Sequence, residues 1–289
     1  MRGITVEDYF YKITKLDAKH VEVIKKFSAQ SPEHLQLLHA SSLQDFLLLQ
    51  YAESAYQSSG ARVAEVEQLI HAAKCNTLEN LHGAHERAVI PVLKRLAEGS
   101  LDVLDDSERM LEFMSFLGQQ ITRTKTFRDG AVGALSRQTA QELEFSCLLE
   151  HAWWFLSYIF GMNLGSVLYL ERHVNKHVLL INNTETPFIT SDQPIANVHV
   201  CISETVLEAP EYADFFYPIS PRIAYMVCDS ERFPAGKVEV DEAVVLEMNW
   251  KMASQAMLHI VGDSEEAIRP FMKYVGKRFH NKKLQSGEP

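Results

Sequence analysis

Ser191 and Asp192 close the run Phe188-Ile189-Thr190 and stand just before Pro194. A proline there takes the chain out of a sheet, which leaves a carboxylate at a strand end, a place from which side chains often reach ligands. Asp192 is therefore the first candidate for a catalytic carboxylate, with Ser191 beside it as a binding group. The competing reading is an Asx-type turn, in which the aspartate bonds to its own following backbone.

Glu79, His82 and Glu86 are spaced i, i+3 and i+7, so they share one helix face with His85 at its edge. Two carboxylates and an imidazole there are part of a metal ligand set of the kind helical bundles complete from other helices. The missing ligands would have to come from scattered residues such as Glu112, Glu150 and His151, so no metal is assigned and the cofactor is left unknown. Pairing of Glu86 with Arg123 on a neighbouring helix has the better physical case, because a desolvated carboxylate or guanidinium is costly alone. Held rigidly, the two would flank a pocket: Glu86 is the second catalytic candidate, and Arg123, with Arg128, suits a phosphate or carboxylate ligand. Ser220 lies between Pro218 and Pro221 with no base or G-x-S-x-G elbow signalled. His173 and His177 flank Asn175 in what reads as a turn between strands.

Helices must position these residues in the first half. Apolar positions recur at helical intervals from about 17 to 57, divided by Ser31-Pro32, where the serine is expected to cap and the proline to take the first helical position. A short helix over 61 to 75 follows, then one capped by Thr77 and kinked at Pro91. Asp105-Asp106-Ser107 starts the next, which runs into Arg123, and a helix from about 138 to 160 carries Trp153, Trp154 and Phe155. Gly165 marks a change of character. Val167 to Leu170, His177 to Ile181, Phe188 to Thr190 and Ile223 to Val227 read as strands. A helix over 242 to 258, a short strand at 259 to 262 and a last helix to about 279 complete the chain. The fold expected is α+β: a helical lobe over 1–163 packed on a small mixed sheet within an α/β lobe over 164–289, with a C-terminal helix, the two lobes together forming one domain.

Four segments in this order resemble the domain of unknown function 4238 family: Leu78-Glu79 with His85-Glu86, the stretch from Gln120 to Arg128, Phe188 to Pro194, and Tyr217-Pro218-Ile219-Ser220-Pro221. Asn249 with Ala256 is a fifth matching piece, and on that ground Asn249 joins the ligand-binding candidates. The family's usual opening segment, with histidine, tyrosine and proline followed by a strand, has no equivalent before Thr5, which implies a shortened relative or a trimmed start. The family is uncharacterised, so the resemblance implies positions and not a reaction.

Composition narrows the classes. With 289 residues, 46% hydrophobic and 23% charged, the chain can bury a sizeable core and is no disordered segment. A formal charge of -10 opposes phosphate backbones, so nucleic acid is not expected as a partner. Cys75, Cys147, Cys201 and Cys228 are dispersed without a C-x-x-C pair, which fits reduced thiols in a cytoplasm. The beginning, with Glu7 and Asp8 and no apolar core segment, does not read as a signal peptide. The apolar stretch from Trp153 to Met162 is well short of the roughly 20 residues a bilayer needs, so no membrane is expected.

The leading functional expectation is a small anionic or nucleotide-like ligand at a lobe interface lined by Asp192, Arg123, Glu86 and Asn249, with hydrolytic chemistry as an extension. The rival is a non-enzymatic interaction or regulatory module, in which those residues are internal struts and an exposed helical face makes a homo-oligomer. A third reading is a nuclease-like effector of a bacterial defence or toxin system, which the net charge opposes.

Overall fold

The computed structural model describes residues 14–135, 137–199 and 211–277. Among the described residues, seven α-helices come first: α1 (Ala18–Ser28), α2 (Glu33–Ser58), α3 (Ala64–Ala97), α4 (Ser107–Thr122), α5 (Lys125–Gly133), α6 (Ala140–His151) and α7 (Trp153–Leu170). The strands are β1 (Lys176–Asn182), β2 (Thr190–Ser191), β3 (Ala196–Asn197), β4 (Phe215–Ser220), β5 (Ile223–Cys228) and β6 (Gly236–Val240). Helix α8 (Glu242–Gln255), β7 (Ile260–Val261) and the four-residue α9 (Glu265–Ile268) follow. The architecture is α+β, with a helical first half and a mixed sheet in the second.

Local chemistry sets several helix ends. Asp106 accepts the N–H groups of Glu108 and Arg109 and so starts α4, and Asp241 does the same for α8 through Val244. Ser31 does not cap α2 as expected. Pro32 holds the cap position, and the Ser31 hydroxyl accepts from Asn163 Nδ2 at 2.9 Å instead.

The main sheet has the order β3-β4-β5-β1-β6, antiparallel except for the β1–β6 pair. In β1 the run Val178-Leu179-Leu180 is wholly buried, because this central strand is covered on both faces and has no solvent side to alternate toward. Val178 and Leu180, with Phe216, Ala224 and Met226 of β4 and β5, join Val245, Met248 and Met252 of α8 in one core. Leu179, Tyr225 and Val227 point the other way, into a core with Val92 and Leu96 of α3 and Phe113, Met114 and Leu117 of α4. The sheet is therefore a middle layer, with α8 on one face and α3 and α4 on the other. A third core joins α1, α2 and α7 around Phe46, Trp154 and Phe155.

Helices α4 and α7 touch backbone to backbone. A Cβ on Gly118 would lie 2.4 Å from the Gly161 carbonyl oxygen and 2.6 Å from the Gly165 nitrogen, and one on Gly165 would lie 2.7 Å from the Ser115 Cα. Gly165 is thus a contact glycine inside a helix and not a boundary. The strand expected over Val167 to Leu170 is the last turn of α7, which buries Leu168 in the core with α4. The helical half accordingly runs past the boundary expected at 163.

Other expectations are corrected as well. Residues 64–97 form one helix, because Thr77 does not cap but donates its hydroxyl proton to the Ala73 carbonyl within the helix, and α3 runs on through Pro91. The helix expected over 138 to 160 is two, broken at Ala152. Of the helix expected to run to about 279, the described residues show the short α9 and a 3-10 turn over Met272–Tyr274, and residues 278–289 lie outside the described residues. His173 and Asn175 lie in the turn from α7 into β1, so the turn joins helix to strand; His177 is on β1, half-buried, its Nδ1 2.5 Å from the Tyr225 hydroxyl. Cys75, Cys147 and Cys228 are free thiols, and Cys201 lies outside the described residues.

Candidate functional site

The candidates separate onto opposite faces of the sheet. Asp192, Ser191 and Asn249 lie on the α8 side. Asn249 is fully buried in α8; its Oδ1 accepts the Ile189 N–H at 3.0 Å and its Nδ2 donates to the Pro187 carbonyl at 2.8 Å. Asp192 follows β2 and faces the segment after α8: Oδ1 accepts from Met257 N at 3.0 Å, and Oδ2 from Leu258 N at 2.7 Å and His259 N at 3.2 Å. Ser191 makes the local turn, its hydroxyl accepting the Gln193 N–H at 3.1 Å and lying 3.2 Å from Met252 Sδ.

The turn is therefore a serine turn and not an Asx turn. Asp192 is not directed toward the helices of the first half, as the lobe-interface expectation required. Its oxygens are engaged by three backbone amides of the segment after α8, which directs the carboxylate to that segment. This half of the motif set is a clasp: Phe188 to Pro194 is held by side chain and backbone to α8 and the residues after it.

Arg123, Glu86 and His82 belong to the other face. Thr122 donates its hydroxyl proton to the Gly118 carbonyl and ends α4, and Thr124 caps α5 through Phe127 N, so Arg123 stands at the bend between two capped helices. Its Nη2 donates to Gln120 Oε1 at 2.8 Å, and its Nη1 lies 2.7 Å from Glu86 Oε1 of α3. Gln120 is 6% exposed, whereas the Glu86 side chain is 48% exposed and that of Arg123 23%. The expected pair is present, half-buried.

Around it lie aromatic and imidazole side chains. His82 and His85 have their rings 6.1 Å and 6.3 Å from that of Tyr158 of α7. Tyr217 of β4 lies 6.0 Å ring to ring from Phe116 of α4 and within the field of both Arg123 and Glu86. Burial, reinforced by the charge of Arg123, lowers His82 to about 3 and lowers His85, so both imidazoles are neutral at pH 7. Burial raises Tyr158 and pushes Tyr217 up to about 12, so both phenols keep their protons. Gln119 donates from Nε2 to the Tyr158 carbonyl at 3.1 Å, while its buried Oε1 has no hydrogen-bond partner among the described residues. The Arg123 guanidinium and the Glu86 carboxylate thus have neutral imidazoles and phenols as neighbours.

Among the described residues, no three His, Cys, Asp or Glu side chains gather as a metal ion would need, and Glu79 and Glu86 are exposed while His82 is buried. Ser220 closes the β4–β5 turn, its hydroxyl accepting the N–H groups of Arg222 and Ile223. Tyr158 was not singled out in the sequence, where it hides in an apolar aromatic run. Tyr217 stands out in the sequence only as part of the Tyr217-Pro218-Ile219-Ser220-Pro221 motif. Asp214 was missed altogether: it is buried, bonded to Asp229 N, Ser230 N, the Ser230 hydroxyl and His199 Nε2, and nothing in its local sequence announces that.

No protein-family model, curated protein sequence or solved structure matches the chain. Among the described residues, no helix is long and apolar enough to cross a membrane.

Proposed function

We propose that this protein binds a small anionic or nucleotide-like ligand at the seam between α3, α4 and β4, with Arg123 as the recognising group. The observation that carries this reading is the setting of Arg123. Its guanidinium is anchored by the buried Gln120 and ringed by His82, His85 and Tyr217, whose protonation is displaced by burial. Displaced titratable groups concentrate at functional sites, and a fixed guanidinium fork suits carboxylate and phosphate oxygens. The hydrolytic extension has less behind it, since Asp192 spends its oxygens on three amides and Glu86 is the counter-ion of Arg123.

The resemblance to the domain of unknown function 4238 family is part of the proposal. Its support is that the quoted segments meet in two places: His85-Glu86, Gln120 to Arg123 and Tyr217 at the seam, and Phe188 to Pro194 with Asn249 at the clasp.

Thermal melts and calorimetric titrations with acetate, inorganic phosphate and AMP test the reading on the parent and on Arg123→Met. At least one anion should stabilise the parent and lose that effect in the variant. Equal responses, or none in either protein, would sink it.

A second reading, a non-enzymatic interaction module, is favoured by a different observation. Helix α2 leaves Leu37 and Tyr51 largely exposed, at 69% and 73%. Sedimentation at rising concentration tests the homo-oligomer it implies, and a monomer throughout would count against it.

A further inference from the structure

We propose that the groove between α1 and α2 is a separate binding site for an aliphatic monocarboxylate, with His39 receiving the carboxylate and Lys25 facing it from the rim. Residues 29–32 join the two helices, whose side chains enclose a cavity of about 590 Å³. That size falls within the range of small-molecule sites, about 300 to 1,000 Å³. Its lining changes character along its length. Ser28, Gln36 and His39 stand next to the turn, whereas Val21, Leu47 and Leu48 lie about two helical turns further from it. Leu48 is left 56% exposed there, so an alkyl chain laid along the groove would cover apolar surface now in water.

The polar end carries an unmet hydrogen bond. His39 stands in the groove wall, 2% exposed, with its Nδ1 3.0 Å from the Ser28 hydroxyl. Its other ring nitrogen, Nε2, is buried and has no hydrogen-bond partner among the described residues. A buried polar atom without a partner destabilises a fold, and such atoms are few in native proteins. The Ser28 hydroxyl has no other acceptor among the described residues, so it donates to Nδ1 and the ring proton sits on Nε2. The groove therefore offers an N–H to an oxygen acceptor.

Lys25 argues that the acceptor is charged. Burial lowers His39, which is neutral at pH 7 and brings no charge of its own. Lys25 lines the same groove one turn before Ser28, is exposed, and pairs with no carboxylate among the described residues, since its neighbour Glu22 is taken by Lys26 at 2.9 Å. A buried N–H donor with an ammonium on the rim suits a carboxylate, because a hydrogen bond to an ionised acceptor is the stronger kind. The apolar far end then assigns the rest of the ligand to hydrocarbon.

Decanoate and its neutral counterpart decanol are the probes, titrated calorimetrically below micelle-forming concentrations into the parent, Lys25→Glu, His39→Phe and Arg123→Met. Decanoate should bind the parent once per chain and more tightly than decanol does. Its affinity should fall at least about tenfold in His39→Phe, the loss of one hydrogen bond to a charged group, and about fivefold in Lys25→Glu, while decanol ignores Lys25→Glu. Lys25 is exposed, so Lys25→Glu decides the matter even if His39→Phe fails to fold. Arg123→Met should bind decanoate as the parent does, which separates this groove from the seam at α3, α4 and β4. No decanoate binding to the parent, or binding that neither Lys25→Glu nor His39→Phe weakens, overturns the proposal. Decanol binding as tightly as decanoate overturns the carboxylate class. Loss of binding in Arg123→Met moves the site to the seam, and sedimentation showing a dimer that decanoate dissociates gives the groove to a second copy of the chain.

Discussion

The side chain of Asn249 stands in for a strand against the backbone flanking Phe188, taking the Ile189 N–H and giving to the Pro187 carbonyl with sequence separations of 60 and 62. Both backbone groups are satisfied by an amide that mimics a peptide unit, which explains an asparagine at a fully buried helical position.

Asn249→Ala removes both partners and leaves a buried donor and acceptor unmet. It is expected to cost about 2 to 6 kcal/mol, at 1 to 3 for each orphaned group. Urea unfolding checks this, and a loss below about 1 kcal/mol would mean that water replaces the amide.

Asp192→Asn tests the clasp at its other end. As a plain turn former asparagine would be nearly equivalent, but here three N–H donors converge on two carboxylate oxygens. The substituted amide has one acceptor and turns its own N–H₂ toward a backbone donor. The variant should lose about 2 kcal/mol, the range of hydrogen bonds to a charged group. Unchanged thermal stability would restore the turn interpretation.

Glu86→Ala should be nearly neutral for stability. A fully buried pair broken on one side costs about 3 to 5 kcal/mol, but this pair has the exposure of surface bridges, which contribute about 0 to 1 kcal/mol. Denaturation midpoints within that range are expected, and a larger drop would mark the pair as a strut.

Acid should weaken the fold before the carboxylates titrate. His82 is lowered by burial from the ordinary 6.5 to about 3, so between those values the unfolded chain holds a proton that the folded chain excludes. Stability from this group is complete above about pH 6.5 and falls as the pH drops toward 3, with a slope up to about 1.4 kcal/mol per pH unit. Burial lowers His85, His39 and His177 in the same direction. Asp214, held low by its hydrogen bonds, adds its own loss only further into acid, below the ordinary carboxylate range. Urea melts from pH 7 to 4 on the parent and His82→Phe should show a shallower decline in the variant.

Gly118→Ala should destabilise by about 1 to 3 kcal/mol or more, since its methyl group would meet backbone atoms of Gly161 and Gly165 that cannot move as a side chain can. Calorimetric melting measures it; a neutral result would mean that α4 and α7 can part without loss.

The parts legible in the sequence were those governed by local rules. The breaks at Ser31-Pro32 and Asp105-Asp106, the apolar β1 run and the pairing of Glu86 with Arg123 all follow from spacing, breakers and charge. Misread segments were decided by distant neighbours. Val167 to Leu170 has strand-like composition but continues a helix because α4 offers Leu168 a core, and Gly165 looks like a break because its packing partner, Ser115, is fifty residues earlier. The grouping of the candidate site failed for the same reason. Nothing local tells that Arg123 and Asp192 face opposite sides of one sheet.

The clasp between the Pro187 to Asp192 segment and α8 also has a place in time. Its bonds close loops of sixty residues or more, and β4, β5 and β6 all lie between the ends they join. Such contacts reward the chain only after the intervening strands have paired, so they are expected to form after the rate-limiting barrier. Loosening them should leave the refolding rate of the protein nearly unchanged and accelerate its unfolding, which makes this buried polar seam a determinant of how long the native state lasts once formed.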